Sequence, residues 1–515
     1  MPSGLRAILL FVLALFVDVV FGAEPKPLTG LLHNEDSTQI FFTQQFPPKK
    51  AGEVIDAYVD GMAAAGVKVF LCNTNSRRTN YASRVWDSYW DGYDPEGPDD
   101  QPFLKPIPAG DVKKYRNLIG NMQAVHREGI DYPARVIERC RHDGMSPWIT
   151  LRMNDCHYND IPTHPFHGGF WRKNPQFYRK NCPGYFGTCL DYVHPEVRDF
   201  YKALVIETLD RYDIDGLELD FLREPYLFSA GKEAEGAPIL TAWVREIRGL
   251  VDRAAAKRGH PIRLGVRVPS RPETSSAMGL DAVGWAREGL IDLLVATPRW
   301  ATLEFDMPLA DWRQKLGSSK TTLAGGLEYL YRSWPGGPAV GVSPELATGA
   351  AISVLANGAD AVYLFNHFQG IWPQPVYRKT LNAMNSLDTL LARPRCVGIT
   401  YRDILAPNES YRPPLPATGK KLSFSIKLGP ILKGERTCIL RIGLPRNSAA
   451  PWPTALVNGK SCVLRSDTID NGLHLLSFVV PATALASDGK LGIEIAGADG
   501  KSLTVERVEA SLGGT

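Results

Sequence analysis

Residues 211–228 read RYDIDGLELDFLREPYLF. In an extended strand, residues two apart share a face. Gly216, Glu218 and Asp220 therefore point one way, and Leu217, Leu219 and Phe221 the other. One face is acidic and one apolar, which suits a strand whose outer side packs on helices and whose inner side carries chemistry. Asp220 falls at the strand's C-terminal end, and Glu218 lies one layer deeper, about 7 Å along the strand.

Similar short apolar runs recur on both sides of this stretch. Upstream are 39–43 (QIFFT), 67–72 (VKVFLC) and 148–153 (WITLRM). With 214–220 (IDGLELD) as the fourth, the series continues through 262–268 (IRLGVRV), 290–296 (LIDLLVA), 321–327 (TTLAGGL) and 359–365 (ADAVYLF). Helical patterns at 134–142, 196–211, 242–257 and 345–357 separate several of them. Strands alternating with helices imply right-handed crossovers and a parallel sheet. Eight such units are the number that closes a (β/α)8 TIM barrel. The span of 36–394 exceeds the roughly 250 residues typical of that fold, and the excess falls in loops after the second and third strands. The competing fold is an open doubly wound sheet, which calls for a Gly-rich phosphate loop after its first strand, and QIFFTQQFPPKK has none.

After Pro394 the texture changes. Runs at 421–428, 437–444, 461–465, 474–480 and 490–495 alternate like antiparallel strands, with turns such as Val457-Asn458-Gly459. Residues 395–515 are expected to form a β-sandwich accessory domain, either capping the barrel or binding carbohydrate. At the other end, Arg6 precedes an apolar run from Ala7 to Phe21, interrupted by Asp18 and followed by Gly22. That reads as a secretory signal peptide over 1–22, too short for a transmembrane helix of about 20 apolar residues. A secreted or periplasmic protein without stable membrane insertion is expected. Export permits disulfides; Cys182 and Cys189 are the preferred pair, with Cys438 and Cys462 second.

The chain has 515 residues, 44% of them hydrophobic and 22% charged, with a net charge of +3. That composition fits a folded multidomain chain, and the charge balance speaks against a nucleic-acid partner. No G-x-S-x-G elbow supports a serine hydrolase. No C-x-x-C supports a zinc ribbon.

Glycoside cleavage needs two carboxyl groups flanking the scissile bond. Asp220 is the first candidate, with Glu218 as a paired, orienting carboxylate. Glu328, in GGLEYL at the end of the seventh strand, is the second, with Gly325 and Gly326 leaving space beside it. Glu304 and Asp306 are further candidates. Arg152, Asn154, Asp155, Arg267, Trp300, Asn366 and His367 fall at predicted strand ends and are expected to bind substrate. Trp86, Tyr89, Trp90, Tyr93 and Trp171 add possible sugar platforms. Arginines 77, 78, 152, 223, 267, 271 and 299 crowd the same rim, so an anionic glycan bearing uronate or sulfate is one reading, and pairing with nearby acids is the other. No cofactor and no metal are expected. The rival readings are a non-catalytic glycan-binding protein and a metal-dependent hydrolase using Asp155, His157 and His164, from the loop that also holds Asp160 and His167.

SPWITLRMND (146–155), FHGGFW (166–171), LDYVHPEVR (190–198) and YDIDGLELD (212–220) together resemble the family-ten-like glycosyl-hydrolase barrels of secreted bacterial proteins. The resemblance covers mainly the barrel and is strongest over 146–228. It implies a (β/α)8 fold and action on a carbohydrate substrate. The fourth strand is also similar to the chitinase motif D-G-x-D-x-D-x-E, through Asp215, Glu218 and Asp220, but Leu222 stands where the catalytic glutamate would be. By analogy with retaining barrels, an acid on strand four and a nucleophile on strand seven favour Asp220 with Glu328.

Overall fold

The computed structural model describes residues 28–182, 184–433 and 437–513. The proposed signal peptide over 1–22 lies outside them. Eight parallel strands close into a barrel: β1 (Gly30–Glu35), β2 (Val67–Asn73), β3 (Ser146–Arg152), β4 (Gly216–Asp220), β5 (Arg263–Pro269), β6 (Leu293–Thr297), β7 (Thr322–Leu327) and β8 (Ala361–Phe365). The order around the ring is β1-β8-β7-β6-β5-β4-β3-β2. Among the described residues, no helix is long and apolar enough to cross a membrane.

The first strand differs from the sequence expectation. QIFFT is the short helix Gln39–Thr43, and the strand is GLLHNE, nine residues earlier. His33, Asn34 and Glu35 break the apolar run that would have announced it. They are nevertheless all buried, Asn34 inside the ring and His33 and Glu35 near the outer helices. The helix Gln39–Thr43 instead sinks Ile40 and Phe41 into the outer core. The remaining strands overlap the runs read from sequence within a few residues.

The barrel interior is layered. At its base, the Trp148 indole lies where a Cβ on Gly216 would collide with it, so two short positions on β4 and β5, Gly216 and Gly265, make room for one large ring. Leu32, Val69, Leu71, Leu293, Val295 and Ala324 pack around it. Emptying this floor by replacing Trp148 with Ala would cost about 3–5 kcal/mol. Above it sits Glu218, whose Oε1 accepts from Asn34 on β1 (3.2 Å), Thr150 on β3 (2.7 Å) and Tyr363 on β8 (2.9 Å). The top layer follows from register: Arg152 pairs with Asp220 across β3–β4, and Asp220 with Arg267 across β4–β5.

Antiparallel sheets follow the barrel. One has five strands in the order Arg395–Gly398, Arg507–Leu512, Cys438–Pro445, Leu473–Val480 and Val463–Asp470. The other is led by Lys421–Lys427 and Lys490–Ala496. Buried Arg395 ties the junction, donating to the Leu391, Leu428 and Pro430 carbonyls. One apolar core runs from the barrel helices into this domain. The segment between Gly398 and the first sandwich strands folds back over the barrel mouth: Tyr226 donates to the Leu405 carbonyl (3.1 Å), and Thr274 to Glu409 (3.3 Å).

Candidate active site

A cavity of about 760 Å³ opens at the C-terminal mouth of the barrel. Two carboxyl groups line it. Glu328 directly follows β7, and Asp36 directly follows β1. Strand β8 separates β1 from β7 in the ring, so the two acids rise from strands two positions apart, about 10 Å at the usual strand spacing.

Their surroundings shift the two carboxyls in opposite directions. Burial pushes the Glu328 carboxyl well above the usual range, and the Arg267 guanidinium, 3.7 Å away, only partly offsets this. Its Oε1 makes no hydrogen bond among the described residues. Burial also works against ionising Asp36, but there nearby cations and hydrogen-bond donors outweigh it. Arg152 forms an ion pair with it, the Thr38 N–H and hydroxyl donate to Oδ1 (2.9 and 2.8 Å), and Arg223 adds positive charge. The Asp36 carboxyl is brought down to about 2. The two acids of the cavity are thus shifted in opposite directions, Glu328 toward the protonated form and Asp36 toward the carboxylate, the kind of division that acid–base chemistry uses.

Asp220 and Glu218 do not reach the cavity. Asp220 Oδ1 accepts from Arg267 Nε (2.9 Å) and from the Leu222 and Arg223 amides (both 3.0 Å), and Oδ2 accepts from Arg267 Nη2 (3.0 Å). With both oxygens engaged, its geometry is that of an internal tie. Glu218 is completely buried; burial, then the Asp220 charge, raises its carboxyl to about 7.

Most residues expected to bind substrate are likewise occupied. Arg152 is bound to Asp36 and lies 3.6 Å from Asp155, and Arg267 is consumed by Asp220. Asn154 makes a two-way clamp with Leu190. His367 is buried behind β8, its ring near Trp372 and Tyr329 and its carbonyl accepting from Tyr377 (2.8 Å). Trp300 and Asn366 do line the cavity; Trp300 is 40% exposed, and Asn366 holds a left-handed turn (φ 61°) that ends β8. Glu304, bound to Ser270, and Asp306, facing Arg271, lie elsewhere. Gly325 and Gly326 leave no room for substrate, because Val354 and Leu309 fill the space beside one and Thr297 beside the other. Trp86, Tyr89, Trp90, Tyr93 and Trp171 are buried in loop packing rather than presented to the cavity.

The residues of the metal reading are engaged with other partners. Asp155 accepts from His157 Nδ1 (2.9 Å), while His157 Nε2 accepts from Arg223 Nη2 (2.7 Å). His164 stacks on Tyr158 with ring centres 3.7 Å apart, and His167 faces Arg77. Among the described residues, no group of three or more His, Cys, Asp or Glu is arranged to hold a metal ion. His157, Arg223 and Lys114 instead join the cavity wall, with Phe42, Tyr185 and Phe186 among its rings. Asp36 carried no sequence signal once the first strand was placed beyond it; Phe42 fell inside that misplaced strand, and Lys114 lies on the later helix Val112–Arg127.

The arginine rim is largely neutralised by acids. Arg152, Arg267, Arg271 and Arg299 pair with Asp36, Asp220, Asp306 and Glu224. Arg77 and Arg78 are buried in loops. Of the cavity-lining cations, Arg223 is hydrogen bonded to His157 and Lys114 lies 4.9 Å over the Phe42 ring; neither forms an ion pair among the described residues.

No protein-family model matches the chain, so the likeness of residues 146–228 to family-ten-like barrels stands on the sequence alone. No curated protein matches it either. Solved structures similar to the chain are found at low identity. α-L-Fucosidase isoenzyme 2 from Paenibacillus thiaminolyticus is 16% identical, with 72% of this chain and 51% of that chain covered and a TM-score of 0.42. The PgaB (BpsB) glycoside hydrolase domain from Bordetella bronchiseptica is 9% identical, with 69% and 99% covered and a TM-score of 0.41. The noncanonic maltogenic α-amylase AmyB from Thermotoga neapolitana is 9% identical, with 92% and 98% covered and a TM-score of 0.37. The chain spans about half the length of the fucosidase.

Proposed function

We propose that the protein is an exported glycoside hydrolase, with Glu328 as proton donor and Asp36 as the ionised partner. The observation that carries this reading is the pair of carboxyl groups lining one cavity with the exposed indole of Trp300, Glu328 pushed up by burial and Asp36 brought down by Arg152 and Thr38. As the bond between the anomeric carbon and the bridging oxygen breaks, Glu328 gives its proton to the departing oxygen. Asp36 faces the developing positive charge and either attacks the anomeric carbon or takes a proton from the attacking water; the carboxyl separation decides which. Trp300 offers an apolar face to a sugar ring. Arg223 and Lys114 favour a glycan carrying carboxylate or sulfate groups. Export rests on the basic, apolar and small-residue pattern of residues 1–22.

The test compares Asp36→Asn and Glu328→Gln on a panel of aryl glycosides and on neutral, uronate-containing and sulfated polysaccharides. Glu328→Gln is expected to lose at least a hundredfold on substrates with poor leaving groups and to keep much of its rate on dinitrophenyl glycosides, whose departure needs no proton. Asp36→Asn is expected to lose rate on both. Glycan binding by wild-type protein without turnover of any substrate would replace this reading with a binding protein. Activity confined to neutral chains would remove the anionic substrate.

A further inference from the structure

Beyond β3, residues 154–157 pass beneath the cavity wall. Asn154 fixes this turn to the segment preceding the helix Pro195–Arg211: its Nδ2 donates to the Leu190 carbonyl (2.9 Å), and its Oδ1 accepts from the Leu190 amide (3.0 Å). The clamp places Cys156 Sγ 2.8 Å from Cys189 Sγ, closer than two unbonded sulfurs pack, with both residues at 0% exposure. Cys182, the partner expected from sequence, turns away and lies 3.1 Å from the Lys180 carbonyl. Cys156 and Cys189, like Cys438 and Cys462, stand as free thiols in this structure.

We propose that Cys156 and Cys189 are joined by a disulfide in the mature protein. Each thiol gives up its proton and one sulfur–sulfur bond forms. The two electrons pass to an oxidant of the disulfide class, such as a thiol–disulfide oxidoreductase or oxidised glutathione, which is reduced to two thiols. The backbone clamp already brings the two residues together, so closure asks for side-chain rotation more than backbone movement.

The link has a consequence for the cavity. Cys156 sits between Asp155 and His157, and these two orient Arg223. Tyr185 and Phe186, both on the cavity wall, lie within the loop the bond would close. Two walls of the cavity would thus be joined covalently below the surface. The proposal is independent of the glycosidase reading, since its readout is chemical.

The experiment maps thiols in the full chain exported into a bacterial periplasm. The protein is unfolded in alkylating agent without reductant, digested and weighed. The Cys156 and Cys189 peptides are expected as one linked species, two hydrogens lighter than their sum, with Cys182 alkylated; Cys182→Ser leaves the link in place. Protein made in a reducing cytosol and then treated with oxidised glutathione is expected to gain the same link. Reducing the linked protein is expected to speed proteolysis within residues 156–189. Alkylation of both Cys156 and Cys189 without reductant in exported protein, a Cys182–Cys189 link, or glutathione adducts in place of the internal bond would each overturn the proposal. Because wild-type protein gives the decisive map, a variant that fails to fold leaves the result standing.

Discussion

Arg267 holds Asp220 at two points, Nε to Oδ1 at 2.9 Å and Nη2 to Oδ2 at 3.0 Å, with both side chains sealed inside the barrel. The guanidinium also lies 4.1 Å over the Phe365 ring and 3.7 Å from Glu328. Taking one charge from a buried pair leaves the other uncompensated, at a cost of about 3–5 kcal/mol. Asp220→Asn is therefore expected to lose stability of this order in urea denaturation. Arg267, released, turns its charge on Glu328 and favours the carboxylate there, so the basic limb of the rate–pH profile moves to lower pH. An Asp220→Asn protein as stable as wild type and inactive at every pH would return Asp220 to the chemistry.

Buried glutamates set a second, opposite-signed pH dependence. Burial, and then the Asp306 charge, raises the Glu304 carboxyl from the ordinary 4.5 to about 8. Between these values the unfolded chain has released this proton and the folded chain retains it, so this contribution to stability falls as pH rises through that window. Glu218, at about 7, adds a fall of the same sign. Asp36 acts the other way: at about 2 when folded, it contributes above the ordinary carboxylate range and is lost as pH drops toward 2. Glu304→Gln is expected to flatten the decline between pH 5 and 8, measured as the urea midpoint at each pH. An unchanged slope would show that Glu304 ionises in the folded protein much as it does in the unfolded one.

Trp300 is exposed at the cavity, with the Arg299 guanidinium 5.6 Å from its ring. It fills no core, so Trp300→Ala is expected to shift stability by no more than about 0.5 kcal/mol. A sugar face stacked on an indole is worth roughly 0.5–1.5 kcal/mol, so KM is expected to rise about two- to tenfold with kcat nearly unchanged. An unaltered KM would place the sugar elsewhere in the cavity.

The sequence made the barrel readable because most strands keep an apolar outer face and sit between helices with clear periodicity. β1 escaped because His33, Asn34 and Glu35 are polar yet buried, while QIFFT has the composition of a strand and the geometry of a single helical turn. That misplacement hid Asp36. Alternation on β4 gave the inward direction of Glu218 and Asp220, but not the two-point capture of Asp220 by Arg267, which depends on which residues of β4 and β5 lie side by side. Glu328 was visible from its place at the end of β7. Loop aromatics such as Trp86 and Tyr89 looked like platforms because composition says nothing of the long loops folding over them.

Asp403 shows that the chain beyond the barrel helps to build the cavity. Its carboxylate accepts from three consecutive backbone amides, those of Arg299 (3.0 Å), Trp300 (2.8 Å) and Ala301 (3.0 Å). Those residues follow β6 and carry two side chains of the cavity wall. Asp403→Ala leaves three donors without their acceptor, and each lost bond to a charged group is worth about 1.5–3 kcal/mol at most, less where water replaces it. The loop is therefore expected to loosen while the barrel stays folded. Amide exchange is expected to speed up at residues 299–301, KM to rise, and kcat to change less, because Asp403 does not line the cavity. Asp403→Asn keeps one acceptor oxygen and is expected to recover part of both effects. Wild-type exchange and wild-type KM in Asp403→Ala would show that the loop holds its shape unaided, and that the segment after residue 398 merely covers the barrel.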